Sequence, residues 1–175
     1  MATVTLRNNP LPALIARLSN TSNLLEQIGL LVKQQTQRHF IEQRDPDGNA
    51  WLPLSKNTVE YKQHKGSASS GSPKILIDTG NLWNSISYRV AGNTVFVGSD
   101  RLYGTYHQLG RITPYTIKAK RAKMLRYWRA GKFRYAKQVT HPGYPARRWL
   151  GLSDDNIEEL TWLVQKWISG SRGTL

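Results

Sequence analysis

Apolar residues near the start of the chain recur at helical spacing. Leu14, Leu18, Leu25, Ile28 and Val32 follow one another at steps of three, four or seven, and Ile15 and Leu31 widen the stripe. At 3.6 residues per turn these positions share one face, which predicts a long amphipathic helix over residues 11–40. About 30 residues rising 1.5 Å each would span roughly 45 Å, more than one compact domain needs. Such a helix either breaks at Ser19-Asn20-Thr21-Ser22 or extends toward a neighbouring subunit.

Asp45-Pro-Asp-Gly-Asn49 then predicts a turn, because Pro and Gly stand among short side-chain acceptors. A calcium loop is not expected there. That motif needs Gly sixth and Glu twelfth, whereas counting from Asp45 puts Gly48 fourth and Lys56 twelfth. Asn57 is the expected cap of a short helix, with Glu60 at the reciprocal position. Gly66-Ser-Ala-Ser-Ser-Gly-Ser-Pro73 has the composition of a flexible surface loop. Asp78 or Thr79 is expected to cap a second short helix through Leu82, Trp83 and Ile86.

Residues 87–90 and 94–97 flank Ala91-Gly92-Asn93, the pattern of a β-hairpin with a tight turn. Residues 103–109 read as one or two helical turns stopped by Gly110. The last helix carries the fullest set of signals. Ser153 caps it, Asp154 and Asp155 lie in its first turn, Lys166 lies in its last, and Gly170 follows. Its expected core face is Ile157, Leu160, Val164 and Trp167, with Ile168 beside it, and Glu159 falls on the polar face. The order of elements predicts an α+β fold in a single domain over residues 1–175: a long N-terminal helix, a small antiparallel sheet with a hairpin, and a C-terminal helix.

Charge adds an extended basic arm at residues 112–142. Across 101–153 the chain has 13 Lys and Arg and no Asp or Glu. Nine of these cations fall in 118–137: Lys118, Lys120, Arg121, Lys123, Arg126, Arg129, Lys132, Arg134 and Lys137. Tyr115, Tyr127, Trp128, Phe133 and Tyr135 are interleaved with them, Gly131 is placed to turn the chain, and alternation from Phe133 through Tyr135 to Val139 suits a strand. Cations neutralise phosphates and aromatics offer stacking faces, so the arm is suited to a polyanion. An acidic protein surface is the competing partner, with Tyr127, Trp128, Phe133 and Tyr135 as interface anchors. A merely solvated loop is the third reading. No helix-turn-helix or zinc-finger pattern accompanies the arm, so base-specific reading is disfavoured. The whole chain carries net charge +14, which opposes self-association at low salt unless the charge meets a polyanion or an acidic partner.

The remaining composition mostly excludes. With 39% hydrophobic residues over 175 positions the chain can bury a core. There is no cysteine, hence no disulfide or thiolate chemistry. His39, His64, His107 and His141 are scattered without metal-ligand spacing, so no metal is expected. No Gly-x-Ser-x-Gly elbow or Walker loop is present, and Ser85, Asp100 and His107 lack any motif that would orient them as a triad. The few acids cluster only at Asp154, Asp155, Glu158 and Glu159, where helix-start chemistry explains them. We expect no enzyme activity and no cofactor. Met1 to Leu6 lacks a positive segment followed by an apolar one, and no apolar run is long enough to cross a membrane, so a soluble protein made in the cytoplasm is expected.

Four segments in order carry a resemblance. Asp47-Gly-Asn-Ala-Trp51-Leu-Pro-Leu54 runs into Thr58 and Lys62. Lys74-Ile-Leu-Ile-Asp78-Thr79-Gly80-Asn81-Leu82 precedes Ser85 and Ile86. Val95-Phe-Val-Gly98 leads to Tyr103-Gly-Thr-Tyr-His107-Gln108-Leu-Gly110. Pro145-Ala-Arg147-Arg148-Trp149-Leu150-Gly151-Leu-Ser153 closes the set. Together, over most of residues 5–170, they resemble the phage virion morphogenesis family, the tail-completion proteins of Mu-like and related tailed phages. The loop at 66–73 and the arm at 112–142 depart from its core pattern. The resemblance implies a non-catalytic, ring-forming subunit, such as one of six copies, at the top of the tail or in the neck. There it would cap the tail tube protein, end tube growth and meet the head–tail connector or stopper protein, with packaged DNA in the lumen. It implies a place in the virion after assembly in the host cytoplasm, with no membrane. A head-side neck stopper or adaptor and a nonspecific nucleic-acid-binding protein are the alternatives. The motif residues Trp51, Asp78, Thr79, Gly80, Leu82, His107, Gln108, Gly110, Pro145 and Arg147 are expected to be structural.

Overall fold

The computed structural model describes residues 11–66 and 73–170. Among these, the helices are α1 (Leu11–Leu18), α2 (Ser22–Glu42), α3 (Lys56–His64), α4 (Asn81–Asn84), α5 (Leu102–Leu109) and α6 (Asp154–Ser169). The strands are β1 (Ile86–Ala91), β2 (Thr94–Ser99), β3 (Tyr115–Lys118), β4 (Leu125–Arg129), β5 (Lys132–Ala136) and β6 (Gln138–His141). The architecture is α+β, with the strands in three two-stranded antiparallel sheets rather than one. All but the end residues of the 66–73 loop lie outside the described residues.

The N-terminal stripe is divided between two helices. After α1 the Ser19 hydroxyl turns back to the Ala16 carbonyl, and the Asn20 side chain accepts from the Ser22 amide. Polar side chains that bond nearby backbone offer it an alternative to the helix, and here the alternative prevails. Leu18 and Ile15 are consequently exposed. The buried face of α2 lies further along than the leucine stripe, at Leu24, Gly29, Gln35, Thr36, His39 and Phe40. α2 crosses the β1–β2 hairpin at close range: a Cβ on Gly29 would overlap the Tyr88 ring.

Phe40, Trp51, Leu82, Ile86 and Trp149 form the core. Phe40 is 0% exposed. Its ring meets Trp51 edge-on at 5.5 Å between centroids and Trp149 at 5.9 Å, geometries that aromatic quadrupoles favour. Both indole N–H groups are satisfied, Trp51 donating to the Arg148 carbonyl and Trp149 to the Gly104 carbonyl, each at 2.9 Å.

Three local expectations are corrected. Ser55, not Asn57, caps α3, its hydroxyl accepting from the Thr58 amide. Gly80 in a left-handed conformation, rather than Asp78 or Thr79, precedes α4, which ends at Asn84, so Ile86 opens β1 instead of extending the helix. On α6 the buried residue is Leu163, absent from the expected stripe. Ile157 is 49% exposed, Ile168 is also exposed, and Trp167 is only half-buried. Glu159 is not idle on a polar face either, since it accepts a 2.7 Å hydrogen bond from the buried Gln35 amide. Glu159 and Leu163 lie four residues apart on one face of α6, and the bond to Gln35 turns that face toward α2. The Ser153 cap, the hairpin turn at Gly92-Asn93 and the stop of α5 at Gly110 (φ 69°) form as expected, and Asn156 completes a capping box at Ser153.

Truncating Phe40 to Ala should cost about 3–5 kcal/mol in chemical denaturation, as large core aromatics do. Ile157→Ala should stay within about 0.5 kcal/mol. Comparable losses from the two would show that the core lies elsewhere.

Candidate functional site

Two regions gather the residues that the sequence singled out. The first is a cavity of about 390 Å³ whose lining includes Lys62, Asp78, Thr79, Gly80, His107 and Arg147. These come from α3, the segment before α4, α5 and the segment before α6, so four distant motifs converge on one place. Their bonds account for much of that convergence. The Arg147 guanidinium donates to the Leu52 carbonyl at 3.1 and 3.2 Å and to the Pro53 carbonyl at 3.3 Å. The Lys62 ammonium donates to the carbonyls of Lys74 and Ile77 at 2.7 and 2.6 Å. Gln108 accepts from the amides of Trp149 and Leu150 and donates to the Leu150 carbonyl. Asp78 pairs with Lys65 at 2.9 Å.

Burial lowers the pKa of both buried cations, and for Lys62 the nearby Asp78 charge opposes the shift. Burial also pushes the His107 pKa below the usual histidine range, with the Arg147 charge acting in the same direction. His107 Nδ1 is buried without a hydrogen-bond partner. The walls present charge-assisted donors already engaged by backbone. Among the described residues, no cluster of His, Cys, Asp or Glu has the arrangement to hold a metal ion. Trp51 and Leu82 lie in the core, and the Pro145 segment passes so close to Gly110 that a Cβ there would meet backbone.

The second region is the arm. β3 pairs with β6 and β4 with β5, making one long hairpin interrupted at residues 119–124 and 137. Lys118 ends β3, and Lys120, Arg121 and Lys123 sit in the interruption with Lys137 opposite. Ala130 and Gly131, at φ 51° and 72°, turn the tip. Residues directly opposite in an antiparallel ladder share a face. The register therefore puts Arg126, Trp128, Phe133 and Tyr135 on one face and Tyr127, Arg129, Lys132 and Arg134 on the other.

The first face folds back on α3. Trp128 stacks on His64 at 4.4 Å between centroids and lies 6.0 Å from Tyr61, while Phe133 meets both rings edge-on. Arg126 lies 3.6 Å over the Phe133 ring. Asn57 donates to the Trp128 carbonyl at 2.8 Å and accepts from the Ala130 amide. Trp128 and Phe133 are thus engaged within their own chain, whereas Arg129, Lys132, Arg134 and Tyr135 are exposed. From the sequence Asn57 was expected only as a helix cap and His64 only as one of four scattered histidines, and Tyr61 was not singled out. Their spacing of three and four residues on α3 was the available signal for a shared face.

A phage virion morphogenesis family model matches residues 5–169. The Mu-like prophage FluMu G protein 1 of Haemophilus influenzae is 20% identical over 156 residues, covering 89% of this chain and 84% of that protein. No solved structure matches the chain.

Two outcomes test this geometry. A histidine whose folded pKa is depressed binds its proton more readily when unfolded, so its stabilising effect is complete above about pH 6.5 and lost as pH falls below it. Chemical denaturation from pH 7.5 down to 5 should show a smaller loss of stability in His107→Gln than in the native chain. Equal losses would mean that His107 is not held neutral. Separately, Asn57→Ala removes two tip hydrogen bonds, each contributing about 0.5–1.5 kcal/mol. Amide exchange should quicken in β4 and β5 while the amides of α2 keep their protection.

Proposed function

Because the chain belongs to the phage virion morphogenesis family, we propose that it acts as a tail-completion subunit, closing with further copies into a ring at the upper end of the tail. The ring ends growth of the tail tube and presents a docking face to the head–tail connector. The observation that carries this reading is the apolar surface the subunit leaves uncovered around α5. Leu102 is 71% exposed, Leu109 73% and Ile112 86%, and Tyr106 is exposed between them. Single exposed apolar residues are ordinary, but several together on and just beyond one short helix mark an association surface. The arm supports the same reading. It is built as an ordered hairpin anchored to α3, the form suited to engaging a partner subunit. In this reading the tube protein and the connector are the protein partners, and the assembled virion is the destination.

Native mass spectrometry at moderate salt should show a closed ring, or subunits that assemble on purified tail tubes. Leu109→Asp with Ile112→Asp should abolish that assembly and head joining in a tail-completion assay while leaving the far-ultraviolet dichroism unchanged. A native chain that stays monomeric and also ignores tubes would remove the reading.

A further inference from the structure

The charge of this chain is sharply divided in space. A groove of about 530 Å³ lies where the end of α2, the 45–49 turn and the start of α6 meet. Six of the chain's 11 acids line it: Glu42, Asp45, Asp47, Asp154, Asp155 and Glu159. Arg38 and Arg44 also line it, which leaves acids in clear excess. Three of the six are engaged locally, Asp45 by Asn49, Asp47 by Arg148 and Glu159 by Gln35. Glu42, Asp154 and Asp155 are exposed and enter no ion pair among the described residues.

A second observation in the same groove points to a donor-bearing occupant. Gln35 is 2% exposed, its side chain lines the groove, and its Oε1 has no hydrogen-bond partner. A buried acceptor without a partner favours a donor beside it, and an incoming cationic group would supply one. The free face of the arm tip offers such donors. Arg129, Lys132 and Arg134 share one face of the hairpin and, like the rest of the arm's cations, form no ion pair among the described residues. The opposite face, with Trp128 and Phe133, is occupied by α3, which fixes the tip with its cations outward.

We infer that the arm tip of one copy docks into the Glu42–Asp154–Asp155 groove of the next copy. The partner is a second copy of this chain because the chain carries both halves of the complementary pair. At net charge +14, copies repel one another unless opposite surfaces meet at the contact. The contact joins two different patches, so it is head-to-tail and propagates until the rotation closes a ring. This inference rests on the ring proposed above and adds which surfaces form the joint.

The test uses neutralised variants of the full chain. In the arm variant, Arg129→Gln, Lys132→Gln and Arg134→Gln are combined. In the groove variant, Glu42→Gln, Asp154→Asn and Asp155→Asn are combined. Glu159 and Asp47 are spared because they hold the fold. Circular dichroism and thermal unfolding select folded preparations, and Asp155→Asn with Glu42→Gln replaces the triple variant if it unfolds. Native mass spectrometry should show a ring for the native chain and monomers for each variant alone. An equimolar mixture should give one-to-one dimers and nothing larger, because each pair has a single intact arm and a single intact groove left to join. Raised salt should dissociate the native ring, since the contact is ionic. A ring that persists in either folded variant overturns the inference and leaves ring formation standing. So does a mixture that stays monomeric, or an arm variant that keeps its ring and loses only binding to duplex DNA. A native chain that never assembles overturns both.

Discussion

Phe40 is clamped between two indoles that are themselves tied to backbone, and the rest of the subunit is arranged around that contact. Trp51 reaches it from the segment after α2 and Trp149 from the segment before α6. Each indole N–H donates to a carbonyl of another segment, so neither ring can turn away without stranding a buried donor. The clamp thereby fixes three stretches of chain far apart in sequence. His39, one residue before Phe40, adds a bond from Nδ1 to the Trp149 carbonyl, joining the same stretches again. Moving any of these groups would open a cavity and break hydrogen bonds together.

A core of a few large side chains leaves many loop carbonyls to be satisfied by other means. Two buried cations do so. Lys62 binds the carbonyls that bracket residues 74–77, and Arg147 binds those of Leu52 and Pro53. Burying charge is costly unless it is well bonded, and these groups are bonded to backbone rather than to carboxylates. The Arg147 charge adds to burial in lowering the His107 pKa. The Lys62 and Arg147 bonds tie together segments that line the cavity where the motif residues gather. The contacts proposed above lie outside it, on α5, on the arm and in the acidic groove.

The arm, proposed above as an assembly contact, is first of all a feature of the fold. A two-stranded ribbon alone is marginal in water. This one is held by Asn57, Tyr61 and His64 on one face, which leaves its cations ordered on the other. Ordering before binding lowers the entropic cost of association, so a ribbon already anchored makes a better joint than a free basic tail.

The sequence by itself determined the elements whose signals are local. The Ser153 cap, the Gly92-Asn93 turn, the stop at Gly110 and the tip at Gly131 each depend on a few adjacent residues, and each forms where it was expected. The motifs at Trp51, Asp78, His107 and Arg147 were legible as a set, and so was the arm's excess of positive charge. Tertiary structure decided everything that required two distant surfaces to meet. The break after Leu18 was one of the two outcomes the sequence allowed, and the Ser19 and Asn20 bonds there are local; the exposure of Ile15 and Leu18 was not legible beforehand. Leu163 rather than Ile157 faces inward because α6 turns to bring Glu159 to Gln35. Asn57 looks like a cap in sequence, yet Ser55 takes that role and Asn57 holds a hairpin 71 residues away. Periodicity states which residues share a face of one element. It carries no information about the surface that face will meet, and the burial of each side chain is set by that surface.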